Sequence, residues 1–225
     1  MTTDPVTRVL GRWWADPMLT GLHRLPARAD AVAYPDDEAA AQGRTPWRRS
    51  LDGDWRFLLV DRPEEAPAGW ADPDHDDAGD GWVDLAVPGC WTRQGVGDLP
   101  QYTNVVMPWP GEPPEVPDRN PTGLYRTTFD RPRGWARRRT ILRLGGAESA
   151  VAVWCNGAFV GLSTDSRLPA ELDLTDHVVA TGNVLAVMVV RWSAGTWIED
   201  QDHWYHGGLH RSVELRSAGS VALDD

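Results

Sequence analysis

Lysine is missing from this chain of 225 residues: all 22 basic residues are arginine. Together with the many alanines, that bias points to a GC-rich genome and to no particular chemistry. Positive charge as a whole is also short. Thirty-three acidic residues leave a net charge of -11, a field that repels phosphate backbones and argues against nucleic acid as a partner. Cysteine occurs twice, at Cys90 and Cys155, too few and too far apart for a disulfide framework or a zinc site. Both are read as small buried hydrophobes. No apolar run approaches the roughly 20 residues that span a bilayer as a helix. The amino terminus has no basic segment leading into an apolar one, so no signal peptide is read there. A soluble cytoplasmic protein without a membrane partner is expected.

Several catalytic signatures are also missing. The chain has no Gly-x-Ser-x-Gly elbow, phosphate-binding loop, dinucleotide glycine fingerprint or His-Glu-x-x-His. His203, His206 and His210 are close in sequence, but in a turn-rich stretch their spacing is a weak metal signal, and solvated or loop-packing roles are expected.

What is present is strand texture. From Leu51 onward, short runs rich in Val, Trp, Leu and Phe alternate with Gly, Pro, Asn and Asp, as in an all-β sandwich or barrel. Strands are expected over residues 53–60, 82–87, 123–129, 140–145, 150–155, 158–162, 170–173, 183–192 and 211–216. Asn156-Gly157 between two apolar runs is a strong hairpin signal, so Asn156 is a turn former rather than a ligand. Residues 183–190 are apolar almost throughout, which predicts a central strand buried on both faces.

Two stretches do not read as strands. Residues 1–50 look like an extended arm with scattered prolines and one helical turn near the acidic-alanine patch at 36–41. Residues 90–121 carry seven prolines together with Trp91, Gln101, Tyr102, Asn104 and Trp109, which predicts a stiff, ordered, packed loop. Of the 13 tryptophans, Trp55, Trp154 and Trp192 fall in strand patterns and are expected to be buried. For Trp91, Trp197 and Trp204, in loops, a sugar platform, an interdomain contact and simple packing remain open.

The run Trp197-Ile198-Glu199-Asp200-Gln201-Asp202-His203-Trp204 follows the predicted central strand directly. Carboxylates and amides there can grip hydroxyls or a hard cation, and an indole offers a flat apolar face to a pyranose. A charged surface loop is the alternative.

These residues, taken in order, carry a family resemblance. The matching stretches include Ser50-Leu51-Asp52-Gly53-Asp54-Trp55-Arg56-Phe57, Tyr102-Thr103-Asn104-Val105, Asn120-Pro121-Thr122-Gly123, Trp154-Cys155-Asn156-Gly157, Asp165-Ser166-Arg167-Leu168-Pro169, Glu199-Asp200-Gln201-Asp202 and Gly208-Leu209-His210-Arg211. The chain resembles the amino-terminal part of the large bacterial β-galactosidases of glycoside hydrolase family 2, from about Trp14 onward.

The resemblance implies a jelly-roll, galactose-binding-like β-sandwich over residues 51–220. An arm of residues 1–50 precedes it and contributes to subunit contacts, and residues 221–225 begin a linker to a further domain. It also implies that Asn104 hydrogen-bonds the galactosyl ring and that Asp202 ligates a sodium ion touching the sugar. Glu199, Asp200 and Trp204 are read as supports; Glu199 or Asp200 either orients loop backbone or pairs with an arginine such as Arg191 or Arg211. A structural magnesium bound by some members is not expected, because the matching positions hold Trp13, Thr164 and Ala194, and Asp16 alone would not hold it.

Retaining glycosidases need two carboxyl groups roughly 5 Å apart. In the family both are glutamates of a later (β/α) barrel, which also carries magnesium, so this chain is expected to contain no catalytic residue and to be inactive alone. The expected function is the sugar-binding domain of a retaining β-galactosidase, partnered by a galactoside, the catalytic barrel and further copies of the enzyme. A stand-alone lectin-like module, or the same domain of a β-glucuronidase or β-mannosidase, remains as an alternative.

Overall fold

The computed structural model describes residues 11–79, 81–103, 106–199, 202–219 and 221–222. Fifteen strands run through them: β1 (Gly21–Leu22), β2 (Arg48–Ser50), β3 (Gly53–Val60), β4 (Val83–Val87), β5 (Gly89–Cys90), β6 (Gln101–Tyr102), β7 (Thr122–Phe129), β8 (Arg139–Leu144), β9 (Ala150–Cys155), β10 (Ala158–Ser163), β11 (Ala170–Asp173), β12 (Asn183–Val190), β13 (Trp204–Tyr205), β14 (Gly208–Leu209) and β15 (Val213–Ala218). Two short helices, α1 (Asp37–Ala41) and α2 (Thr196–Glu199), complete the set apart from single 3-10 turns. Among the described residues no helix is long and apolar enough to cross a membrane.

A seven-stranded sheet in the order β1-β10-β9-β12-β7-β3-β4 faces a four-stranded sheet in the order β11-β8-β15-β2. This is the expected β-sandwich. Strand periodicity sends alternate side chains to opposite faces, and β12 shows the consequence. Leu185, Val187 and Val189 enter the core between the sheets, while Ala186, Met188 and Val190 enter a second core on the outer face of the large sheet. Trp13 and Trp14 from the arm and Trp70 from the loop after β3 cover that outer face. The strand is therefore buried along its whole length, as its unbroken apolar run predicts.

The small sheet has a different exterior. Leu142, Leu144, Leu172, Val213 and Leu215 point into the shared core. On the opposite face Arg143, Glu171, Glu214 and Arg216 join Arg28 and Asp30 of the arm in an ion network, with Arg28 Nε 2.8 Å from Glu171 and Arg216 Nη1 2.6 Å from Asp30.

Several sequence expectations meet the coordinates directly. Strand β3 and the β9 and β11 segments fall where the pattern puts them, and Asn156 and Gly157 turn the β9–β10 hairpin at φ of 52° and 80°. Helix α1 forms at the acidic-alanine patch, capped by the Asp36 carboxylate accepting from Ala39 N at 2.8 Å. Trp55, Trp154 and Trp192 are buried, and so is Trp91, which settles its role as packing. The arm differs from an extended appendage. It contributes β1 to the edge of the large sheet beside β10 and β2 to the small sheet beside β15. Strands this short leave no periodic pattern to read. The expected strand at 183–192 stops at Val190, because Arg191 turns inward to an ionic partner.

Candidate sugar-facing site

Strand β12 delivers the chain into the acidic run, and the root of that run is tied to the sandwich by Arg191. Its side chain is 1% exposed. Nη1 donates to Asp98 Oδ2 at 2.5 Å and Nη2 to the carbonyl of Leu99 at 2.7 Å, while the guanidinium lies 4.8 Å from the Trp192 ring. Asp98 also accepts from Trp91 Nε1 at 2.9 Å. Burial pushes the Arg191 pKa down, and the Asp98 carboxylate opposes that shift. Asn120 clamps the next residue, donating to Trp192 O at 2.8 Å and accepting from Trp192 N at 2.9 Å.

An aromatic cluster follows. Trp192 lies against Trp109 and Tyr205 with centroids 4.8 and 5.3 Å apart, and Trp197 meets Trp109 at 5.7 Å. Both Trp109 and Trp197 donate to the Glu115 carbonyl. The proline-rich segment is thus packed, as its composition predicts, and Trp197 belongs to that packing.

Helix α2 carries Glu199. Its carboxylate accepts from Ser166 N at 2.9 Å and from the Ser166 hydroxyl. Of the two readings of Glu199, backbone support is the one observed. Arg191 is engaged by Asp98, and Arg211 donates to the carbonyls of Gly145 and Arg167. Asp200 and Asn104 lie outside the described residues.

The acidic run and the proline-rich segment meet at a two-stranded ladder. Strand β13 pairs antiparallel with β6, setting Trp204 opposite Tyr102 and Tyr205 opposite Gln101. Next to this ladder Asp202, at φ 58°, accepts a hydrogen bond from the Tyr102 hydroxyl. Trp204 is 57% exposed, with its ring 5.6 Å from that of Tyr102. An exposed indole, a phenol and a carboxylate therefore share one surface. Tyr102 was legible only as a neighbour of Asn104; nothing in its own sequence position announced a bond across 100 residues.

A buried carboxylate that the sequence reading passed over stands behind this surface. Glu148 is 3% exposed and ion-paired with Arg167 at 3.2 Å. Burial raises its pKa, against the lowering effect of Arg167. These three histidines are all engaged: His203 with Arg167 and the Trp204 carbonyl, His206 Nδ1 with Thr92 Oγ1 at 3.0 Å, and His210 Nε2 with Ser166 O at 2.9 Å. Burial lowers the pKa of His206 and of His210. Among the described residues no group of three or more His, Cys, Asp or Glu converges to hold a metal ion. A cleft of about 720 Å³ opens at the far end of the sandwich, and two of its three carboxylates, Asp52 and Asp130, already accept from Val213 N and Gly182 N.

Comparison with known proteins gives these features a context. Residues 48–218 match the sugar binding domain of glycosyl hydrolases family 2. A β-galactosidase of Erwinia tasmaniensis is 43% identical over 228 aligned residues, covering 99% of this chain and 22% of the relative. One of Psychromonas ingrahamii is 41% identical, covering 96% of this chain and 21% of the relative. The chain thus spans about a fifth of the length of the curated relatives it matches. Among solved structures, a Bacteroides uniformis β-glucuronidase superposes with a TM-score of 0.58 at 22% identity, over 76% of this chain and 18% of that one. A β-glucuronidase from an uncultured Clostridium sp. gives 0.56 at 20% identity, over 85% and 31%. These two likenesses establish a shared fold. With three quarters of its length inside the matched domain, the chain belongs to glycosyl hydrolase family 2, as its sugar-binding domain.

Proposed function

We propose that this chain forms one wall of the galactoside subsite of a retaining β-galactosidase, and that bond cleavage belongs to a catalytic barrel outside residues 1–225. The observation that carries the reading is the β6–β13 ladder, which puts Asp202 and Trp204 against Tyr102 and leads directly into the Thr103-Asn104 segment. Trp204 would lie along the C–H face of a pyranose, and Asn104 would exchange hydrogen bonds with its hydroxyls. The galactosidase branch is favoured over the glucuronidase branch by identities of 41–43% against 20–24%.

Asp202 suits a sodium ion, as an exposed carboxylate with hard oxygen donors; further oxygen ligands would come from the sugar and the rest of the enzyme. The arm, in contrast, does not suit the family's structural magnesium. Asp16 accepts from Met18 N, Thr164 donates to Leu19 O, and Ala194 N bonds Trp14 O directly, so arm and loops close on each other through backbone groups. Free thiols at Cys90 and Cys155 suit a reducing, cytoplasmic setting. Assembly of several copies follows from the same family reading.

The test is a paired assay with an aryl β-galactoside. The 225-residue chain should show no hydrolysis. A polypeptide continuing into the barrel should hydrolyse it, with Asp202→Asn raising KM and removing the sodium dependence. Hydrolysis by the 225 residues alone at a rate comparable with the complete enzyme overturns the proposal. Calorimetric binding of galactose by the short chain at millimolar strength or tighter favours a lectin-like module instead.

A further inference from the structure

The wall reading leaves a physical question about how Asp202 and Trp204 hold their places. Trp204 is more than half exposed, and Asp202 is also on the surface. Behind them lies the turn that follows β10. Asp165 Oδ1 accepts from the backbone N–H of Arg167 at 2.9 Å and of Leu168 at 2.8 Å. Ser166 is bonded to Glu199 through both its N–H and its hydroxyl, and its carbonyl faces His210 Nε2. The Arg167 carbonyl accepts from Arg211 Nη1 at 2.6 Å. The turn is fixed from the acidic run on one side and the β14–β15 connection on the other.

Out of this turn the Arg167 side chain reaches two groups with one nitrogen. Nη2 lies 3.2 Å from Glu148 Oε1 and 2.9 Å from His203 Nε2. A guanidinium only donates, and its contact is shorter than the 3.2 Å from Nε2 to the Glu199 carbonyl, so the closer partner gives His203 Nε2 the lone pair. The other ring nitrogen then carries the proton, and Nδ1 lies 3.0 Å from the Trp204 carbonyl, where it donates. A chain of contacts therefore runs from a buried carboxylate, through Arg167 and His203, to the backbone of Trp204. His203 sits between the two residues assigned to the sugar wall.

We infer that Arg167, braced by Glu148, is a positioning residue for the sugar-facing pair Asp202 and Trp204, acting through the Nδ1-protonated tautomer of His203. The inference rests on the wall reading for its purpose, but its geometry stands independently. Glu148 gives the strut a fixed foot, because it is buried where β9 begins and its N–H donates to Gly208 O at 3.0 Å. Lysine could pair with Glu148, but its ammonium sits on a flexible stem, whereas the planar guanidinium fixes the directions in which Nη2 donates to carboxylate and imidazole.

The test uses the isotope-labelled 225-residue chain and two readouts that a general loss of stability would not produce together. In the unmodified protein, His203 should give the nitrogen chemical-shift pattern of the Nδ1–H tautomer. In Arg167→Met it should move to Nε2–H, which can donate to the Glu199 carbonyl 3.2 Å away. Amide exchange at Trp204 and Tyr205 should rise at least tenfold in Arg167→Met while β12 stays protected, with Arg167→Lys in between. An Nε2–H tautomer in the unmodified protein, or exchange within twofold of it in Arg167→Met, overturns the inference. Should Arg167→Met fail to fold, Arg167→Lys and the tautomer of the unmodified chain carry the same decision. In a polypeptide that includes the barrel, KM of Asp202→Asn for an aryl β-galactoside tests the wall separately: an unchanged KM, with tautomer and exchange as expected, removes the purpose of the strut and leaves the strut.

Discussion

Two arginines hold the acidic run, and they do so in different ways. Arg191 grips its root from inside the core: 1% exposed, stacked on Trp192, and bonded to a carboxylate that also serves Trp91. Arg167 grips its tip from the rim, with a side chain 39% exposed and partners that include a single imidazole. The root belongs to the cooperative core, where opening requires unpacking Trp91 and Trp192. The tip is held by a few polar bonds near water, which places it at the low end of local stability. Such a division suits the proposed wall, whose surface would meet a ligand and a further domain while its base stays fixed.

The comparison breaks most sharply at the root. Arg191→Met leaves Asp98 buried beside one remaining donor, Trp91 Nε1. Removing one partner of a buried ion pair costs about 3–5 kcal/mol, and chemical denaturation should read a loss of that order, partly recovered in the double variant with Asp98→Asn. Arg167→Met, screened by water, should cost far less. Equal losses would make root and tip one unit.

Gly207 offers the next largest effect. A Cβ built there would lie 2.1 Å from Cζ2 of the fully buried Trp91 indole, which has no room to retreat. Gly207→Ala should therefore destabilise by about 1–3 kcal/mol or somewhat more, the usual cost of overpacking a core. Because β13 and β14 flank this glycine, thermal denaturation and the Tyr102–Trp204 pairing should suffer together.

The fold was more legible than the site, for a physical reason. Residues 150–155 and 183–190 bury both faces of a central sheet, and burial on that scale writes itself into the chain as valines, alanines and leucines. A two-residue strand carries no such mark. Strands β5, β6, β13 and β14 exist because of their partners, so the ladder that joins Tyr102 to Trp204 could not be read from either segment. Asp202 and Trp204 stood out because carboxylates and indoles crowd that run. Glu148 did not, although a lone carboxylate between Gly145-Gly146-Ala147 and the apolar β9 is a signal that burial and function meet. Arg167 was hidden by an ordinary turn motif whose hydrogen bonds explain its conformation without explaining its side chain.

Glu148 also gives the strut a pH signature. Burial raises its folded-state pKa above the ordinary 4.5. A raised carboxyl pKa means that the folded state binds the extra proton, so its contribution is present below pH 4.5 and is lost as pH rises through the folded value. Glu148→Gln keeps an acceptor for Arg167 without the charge. Its stability relative to the unmodified chain should therefore improve between about pH 4 and neutrality, read as midpoints of thermal melts across that range. A difference that stays flat with pH would show that Arg167 fully compensates the buried charge, and the foot of the strut would then resemble the root at Asp98 and Arg191.

The smallest effect on stability should come from the most exposed member of the site, and there the comparison turns on function. Trp204 is 57% exposed, and its ring contact is with Tyr102, itself half exposed. Substitutions away from buried contacts usually shift stability by no more than about 0.5 kcal/mol, so Trp204→Ala should melt close to the unmodified chain. The strut behind it should be untouched, because the bond from His203 Nδ1 goes to the Trp204 carbonyl and survives loss of the indole. In a polypeptide that includes the barrel, the same change should raise KM for an aryl β-galactoside, since the apolar platform for the sugar is gone. Trp204→Ala and Arg167→Met thus separate two ways of weakening one wall: the first removes the contact surface and leaves the loop ordered, the second keeps the surface and loosens the loop. If amide exchange at Tyr205 rose as much in Trp204→Ala as in Arg167→Met, the indole would be part of the scaffold, and the tip would owe its order to aromatic packing as the root does.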